Sequence, residues 1–134
     1  MFDTVVSPMK AKAISLALLA IIGGVGCEQG TQYRRPQDIV FPDSNVSYTR
    51  HVEPFLRLTC TFSGCHSATD RIPLDTYIAL FQTPGLIIVG HPEQSRLNQV
   101  LEGTLAHAPV FQGNITDNHR RGMAQWVREG ARNN

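Results

Sequence analysis

The sequence predicts a small, mostly α domain built from about four short helices. The chain of 134 residues has room for one domain. Apolar residues recur at helical spacing in four separate segments between residues 47 and 128. Each of these segments begins beside a Ser, Thr, Asp or Pro, the residue types that favour the first turn of a helix.

The first helix is predicted to begin at Ser47, whose hydroxyl can cap it. Val52, Phe55 and Leu56 then share one face of this helix. Pro54 falls inside the same stretch, so we expect the helix to be shortened or kinked there.

The second helix is predicted to begin at Asp75 or Thr76, and it carries apolar residues at helical spacing. These residues are Tyr77, Leu80 and Phe81. The apolar run at residues 86–89 is too short to be assigned by periodicity. Because glycines flank it, we expect an extended, buried segment.

The third helix is predicted from Pro92, which suits a first turn. Its apolar residues are Leu97, Val100 and Leu101. A loop is expected from Thr104 to Asn114, and the last helix is expected to begin at Thr116-Asp117. The predicted inner face of that helix consists of His119, Met123, Trp126 and Val127.

Residues 1–26 have the pattern of a secretory signal peptide. A basic start at residues 9–12 precedes an apolar run at residues 13–22 that is too short to span a bilayer comfortably. We expect translation to begin at Met9, because residues 1–8 place Asp3 where a signal peptide should be basic.

Small residues lead directly into Cys27, a pattern that resembles the lipobox of bacterial lipoproteins. That resemblance implies that Cys27 is lipidated and becomes the mature N-terminus, anchored to a membrane. An ordinary signal peptide cleaved nearby would instead leave Cys27 free. The polar residues 27–44, broken by Pro36 and Pro42, are predicted to form a flexible tether, so that the folded domain spans residues 45–134.

The charge of the chain argues against a nucleic-acid partner. The formal net charge is +1 at pH 7, and both lysines, Lys10 and Lys12, lie in the signal peptide. The Arg34-Arg35 pair is too short to form a basic arm. We therefore expect the chain not to bind nucleic acid.

Two thiols and an imidazole stand together in the sequence Cys60-Thr61-Phe62-Ser63-Gly64-Cys65-His66. Covalent attachment of haem needs two cysteines, followed by a histidine that ligates the iron, and its commonest spacing is C-x-x-C-H. Here the spacing is C-x4-C-H, and Gly64 gives the backbone freedom to accommodate the two extra residues.

Two other interpretations of this segment stay open. A disulfide between Cys60 and Cys65 is chemically reasonable outside the cytoplasm. A zinc site would use Cys60, Cys65 and His66, and would take its fourth ligand from His51 or His107.

The sequence from Asn45 to Arg132 resembles the small, planctomycete-type c-type cytochrome domains of bacterial extracytoplasmic proteins. The resemblance is carried by four ordered segments around the thiol motif: residues 48–56, 74–80, 89–97 and 126–131. It implies about four short helices around one covalently bound haem c. Cys60 and Cys65 would form the thioethers, and His66 would be the proximal ligand of the iron.

The chain departs from this family on the other side of the iron. Such domains usually carry a Met-Pro pair before the last helix, whereas here the sequence reads Leu105-Ala106-His107-Ala108-Pro109. His107 is our candidate for the distal ligand, and a vacant position is the alternative. Met123 is expected in the core. We expect His51 and His119 to have structural roles and His91 to be exposed.

These features predict a mono-haem c-type cytochrome that transfers electrons to or from a redox partner protein. The resemblance places it in the bacterial cell envelope, lipid-anchored and facing the periplasm, and Glu28 after Cys27 favours the outer membrane over the inner one. No catalytic constellation is evident, which favours a carrier over an enzyme. The alternatives are a disulfide-stapled structural or binding lipoprotein without haem, and a haem enzyme or sensor with an open sixth position.

Overall fold

A computed structural model describes residues 32–70, 72–108 and 113–134. Four α-helices occur in these ranges: α1 (Glu53–Thr59), α2 (Tyr77–Gln82), α3 (Arg96–Leu101) and α4 (Asp117–Arg128). Short 3-10 turns lie at Pro36–Asp38 and Pro92–Gln94, and no strand occurs among the described residues. The predicted fold class, a small and mostly α domain, is confirmed in this part of the chain.

The first helix starts as predicted, with one local difference. The Ser47 hydroxyl accepts a hydrogen bond from the Arg50 N–H at 3.3 Å. A π-helical turn, Tyr48–Val52, then leads into α1, and Pro54 occupies the first turn of α1. Proline is tolerated there because the first turn of a helix leaves its N–H groups without intrahelical partners. The predicted buried face is confirmed: Val52, Phe55 and Leu56 are completely buried.

The second helix is capped by Thr76, whose hydroxyl accepts from the Ala79 N–H at 3.2 Å. The helix thus begins where it was predicted to begin. Its buried residues are Ala79 and Leu80, whereas Phe81 is 38% exposed. A helix of six residues turns only part of its apolar surface toward the core.

The segment at residues 86–89 forms neither a helix nor a strand, and it is only partly buried. Leu86 and Ile87 lie in the core, whereas Val89 is 51% exposed, so the expectation of burial is wrong for Val89. The Ser95 hydroxyl ties this segment to the start of α3 by accepting from the Ile88 N–H at 2.8 Å. Pro92 begins its own 3-10 turn, and α3 starts only at Arg96.

The last helix agrees with the prediction in both its start and its inner face. The Thr116 hydroxyl accepts from the His119 N–H at 3.3 Å, and the Thr116 N–H donates to His119 Nδ1 at 3.1 Å. The residues predicted to face inward are all buried: His119, Met123, Trp126 and Val127. Gly122 lies on the same face and was not predicted.

The folded unit begins earlier than predicted, because it runs from Tyr33 to Asn134. Ile39 and Phe41 are 1% and 2% exposed, so they belong to the core. Asn118 of α4 binds both backbone groups of Phe41: its side chain accepts from the N–H at 2.8 Å and donates to the C=O at 2.9 Å. The prediction of a flexible tether to residue 44 is therefore wrong from Tyr33 onward.

The signal peptide at residues 1–26 and the lipidation site Cys27 lie outside the described residues, so their assignment stays a prediction. Within the described ranges, no helix is both long and apolar enough to cross a membrane.

Candidate functional site

The two cysteines lie in the loop between α1 and α2. Cys60 follows the last turn of α1, and its N–H donates to the Leu56 carbonyl at 2.7 Å. The Cys60 side chain packs against the core, whereas Cys65 is exposed. Both are free thiols. The end of α1 therefore fixes the first thiol, and the loop presents the second to solvent.

A tight turn takes up the extra residues of the C-x4-C spacing. The Cys65 N–H donates to the Phe62 carbonyl at 2.9 Å, and Gly64, the third residue of the turn, has a φ of +80°. A side chain is rarely accommodated at that φ, and no atom lies within 4 Å of the place where a Cβ would stand. Gly64 is thus required by the backbone, as the sequence suggested, and not by close packing.

Burial controls the chemistry of the first thiol. It raises the pKa of Cys60 to about 12, and the nearby Cys65 adds to the rise. Because the thiolate is the reactive nucleophile, a thiol with this pKa is protonated and slow to oxidise at neutral pH. Cys60 is therefore a poor attacking thiol in thiol–disulfide exchange.

His66 is held by a backbone carbonyl. Its Nδ1 lies 2.7 Å from the carbonyl oxygen of Ile72. A carbonyl oxygen can only accept, so Nδ1 must carry the hydrogen in this contact. In the neutral ring, Nε2 then has a free lone pair, the arrangement found in histidines that bind metals.

The Nε2 atom of His66 faces the Nε2 atom of His107 at 3.4 Å. The two ring centroids are 5.7 Å apart, with an interplanar angle of 30°. The Nδ1 of His107 lies 3.2 Å from the Ala108 carbonyl oxygen, so this nitrogen is also placed to donate. The structure thus brings together two histidines that are 41 residues apart in the sequence.

The protonation of this pair determines what can lie between the rings. If each Nδ1 donates to its carbonyl, both neutral rings present a lone pair to each other across 3.4 Å. Two lone pairs repel, so without a metal ion one ring must carry a hydrogen on Nε2. Neutral His107 in its other tautomer would supply it as an ordinary hydrogen bond to His66, an added proton would do the same, and a metal ion bound by both rings would replace it.

The spacing of the histidine pair can be compared with that of two ligands of one metal ion. Metal–imidazole nitrogen bonds are about 2 Å long, so two nitrogens on opposite sides of one metal stand about 4 Å apart. The two Nε2 atoms are 3.4 Å apart, so the rings would have to move apart to hold a metal ion between them. If a haem were bound, its four nitrogens together with these two histidines would make up the ligands of the iron. The described residues contain no group of three or more His, Cys, Asp or Glu side chains placed to hold a metal ion, whereas a structural zinc site needs four ligands.

The other histidines have structural contacts. His119 is 1% exposed: its Nδ1 accepts from Thr116, and its Nε2 lies 3.1 Å from the Ile39 carbonyl. His51 Nδ1 accepts from the Ser47 N–H at 3.1 Å. His91 is exposed, 3.5 Å from Glu93. Their expected places are thus confirmed, as is the core position of Met123, which is completely buried.

Sequence reasoning missed two residues with contacts in the loop that follows His66. One is Ile72, which contacts His66 through its backbone carbonyl. Because every residue has such a carbonyl, the sequence does not predict this contact. The other is Asp70, whose carboxylate accepts from the Ser67 N–H at 2.7 Å and from the Ser67 hydroxyl at 2.6 Å. The Ser-x-x-Asp spacing directly after His66 is a turn signal that could have identified Asp70.

Comparison with known proteins adds no relative. No protein-family model, no curated protein and no solved structure matches this chain. The resemblance to c-type cytochrome domains therefore rests on the residues quoted for it, and the function has to be argued from the geometry of the site.

Proposed function

We propose that this protein is a mono-haem c-type cytochrome that carries electrons in the bacterial cell envelope. Cys60 and Cys65 hold the haem covalently, His66 is the proximal ligand and His107 is the distal ligand. The observation that supports this most directly is the opposed pair of Nε2 atoms, 3.4 Å apart, with both Nδ1 atoms directed at carbonyl oxygens. Two thiols stand immediately before the first of these histidines.

The chemistry of attachment suits thiols. Each cysteine S–H adds across one vinyl group of the haem: a C–S bond forms, and the hydrogen goes to the other vinyl carbon. No leaving group or oxidant is needed. Both cysteines are available as thiols. The haem, when bound, supplies an iron that changes its charge by one electron.

Two histidine ligands favour a carrier over a catalyst. When both axial positions are filled by protein side chains, no open position remains for a small ligand or substrate. The absence of a methionine from the segment 105–108 also has a consequence. Met/His ligation raises the potential of a haem, so this site should have a lower potential than a cytochrome with Met/His ligation. A haem enzyme or sensor would instead require His107 to leave the iron.

The cellular context of the proposal rests on the first 28 residues. The signal peptide and the lipobox-like cysteine would export the chain and anchor it through Cys27, facing the periplasm and with outer-membrane sorting favoured by Glu28. Beyond Lys12 the chain contains no lysine, so a redox partner would not meet a lysine-rich docking face.

The decisive experiment is expression of the full chain in a bacterium that has the machinery for c-haem maturation. We expect an alkaline pyridine spectrum of the c-type, and an intact mass increased by one haem. Cys60→Ser and Cys65→Ser should each abolish one thioether and shift the pyridine band. His91→Ala, which replaces an exposed histidine, should leave the spectrum unchanged.

A purified wild-type protein without any c-type band would refute the proposal. The intact mass would then decide for the alternative, because a disulfide between Cys60 and Cys65 removes two hydrogens and adds no other mass. In that case His66→Ala should have little effect on folding. The same variant should prevent stable incorporation of haem if the proposal is right.

A further inference from the structure

We infer that Asp70 is a positioning residue for His66. Its carboxylate fixes the turn that follows His66, and that turn brings the Ile72 carbonyl oxygen onto His66 Nδ1. The effect of Asp70 on the potential of a bound iron rests on the proposed function. The effect of Asp70 on the hydrogen bond of the His66 ring does not rest on it, and this effect can be measured separately.

Three contacts close the turn from Ser67 to Asp70. The Asp70 carboxylate oxygen Oδ2 accepts from the Ser67 N–H at 2.7 Å and from the Ser67 hydroxyl at 2.6 Å. The Asp70 N–H donates to the Ser67 carbonyl at 3.0 Å. Both contacts to the carboxylate have a charged acceptor, and such hydrogen bonds are stronger than those between neutral groups. A single side chain thus determines the backbone path directly after His66.

The chain returns to His66 on the far side of this turn. The Leu74 N–H donates to the His66 carbonyl at 3.0 Å, and the Ile72 carbonyl receives the Nδ1 hydrogen at 2.7 Å. Among the described residues of this loop, the Asp70 carboxylate makes the two shortest side-chain contacts to the turn, and the Ser67 and Thr69 hydroxyls are a longer 3.4 Å apart. Releasing the turn would therefore let the Ile72 carbonyl move away from the ring.

The electrostatics of the loop agree with this arrangement. The hydrogen bonds from Ser67 lower the pKa of Asp70, so the carboxylate is charged at neutral pH, and the neighbouring His66 lowers it further. A hydrogen bond from Nδ1 increases the basicity of a ligating imidazole, which favours the oxidised iron. Loss of the hydrogen bond should thus raise the midpoint potential of a haem bound by His66.

The test uses three variants of the full chain. Asp70→Ala removes the turn contacts. Asp70→Asn keeps an oxygen that can accept from the Ser67 N–H, and so should rescue the turn. Asp43→Ala makes the same substitution at an exposed aspartate outside this loop.

The first readout is the hydrogen bond at His66 Nδ1, followed through the solvent exchange of the Nδ1 hydrogen in ¹⁵N-labelled imidazole. We expect slow exchange in the wild type, in Asp70→Asn and in Asp43→Ala, because the Ile72 carbonyl holds this hydrogen. We expect faster exchange in Asp70→Ala. If Asp70→Ala keeps the wild-type exchange rate, the inference is wrong, whether or not the protein carries haem.

The second readout is the midpoint potential of the haem-loaded protein. Asp70→Ala should raise it by at least about 28 mV, which corresponds to roughly a threefold change in the ratio of oxidised to reduced protein for one electron. Asp70→Asn removes the same charge from the same position but keeps an acceptor oxygen, so it should shift the potential by less, and so should Asp43→Ala. Equal shifts in Asp70→Ala and Asp70→Asn would show a charge effect and overturn the positioning role. A wild type without haem would refute the proposed function, and the exchange of the Nδ1 hydrogen would still test Asp70.

Discussion

Gly122 is the position at which one added methyl group tests the packing of the N-terminal segment on α4. An alanine Cβ there would overlap the Phe41 side chain, including its first ring atoms. Phe41 cannot move away cheaply. Asn118 holds its N–H and C=O at 2.8 and 2.9 Å, and its ring packs edge-on against Phe55 with a centroid distance of 5.7 Å.

The expected magnitude follows from two opposing effects. Replacing glycine by alanine inside a helix stabilises the helix by about 1 kcal/mol. Overpacking of a core costs about 1–3 kcal/mol, and the overlap with Phe41 places this site near the upper end. We therefore expect Gly122→Ala to lower the free energy of unfolding by about 2 kcal/mol, or the melting temperature by roughly 10 °C.

Thermal and urea unfolding followed by circular dichroism measure this change. Gly113→Ala is the matched control, because no atom lies within 4 Å of its added Cβ. Phe41→Leu should partly rescue Gly122→Ala, and a double-mutant cycle should give a coupling free energy between the two sites. If Gly122→Ala is as stable as the wild type, or more stable, then Phe41 does not pack on Gly122 of α4, and the reasoning is refuted.

Three further predictions concern the site and the stability of the domain. In haem-loaded protein, His107→Ala should change the visible spectrum and allow added imidazole to restore it, and an unchanged spectrum would exclude His107 as a ligand. Burial lowers the pKa of His119 below its ordinary value of 6.5, so the unfolded chain takes up this proton more readily than the folded one. The contribution of neutral His119 to the free energy of unfolding should therefore be fully present above pH 6.5. Below pH 6.5 the free energy of unfolding should fall by up to about 1.4 kcal/mol per pH unit. Denaturant titrations should find a smaller fall in His119→Gln. Glu129→Ala should cost about 2 kcal/mol in thermal unfolding, because its carboxylate accepts from the Asn45 and Val46 N–H groups at 2.7 and 2.9 Å. Glu129→Gln keeps one acceptor oxygen, so a smaller loss in that variant would confirm the role of the hydrogen bonds.

Where a signal is local, the sequence was a good guide to the fold. Ser47, Thr76 and Thr116 cap helices because a hydroxyl reaches an N–H group three residues further along the chain. The inner face of α4 follows from helical periodicity alone. The prediction for the N-terminal segment is wrong because the apolar run Ile39-Val40-Phe41 is too short for a periodicity that distinguishes a packed segment from a loop.

For the site, too, some features follow from the sequence and others only from the tertiary structure. The sequence by itself determined which groups are present: two thiols and an imidazole within seven residues, and a second histidine where the family carries methionine. Only the tertiary structure decided that His66 and His107 face each other through Nε2, and that the Ile72 carbonyl sets the tautomer of His66. The physical reason is that capping and periodicity depend on neighbours within one turn of helix. Whether two loops meet depends instead on how the helices between them pack. Every residue has a backbone carbonyl, so the residue types do not indicate which carbonyl will accept the hydrogen bond.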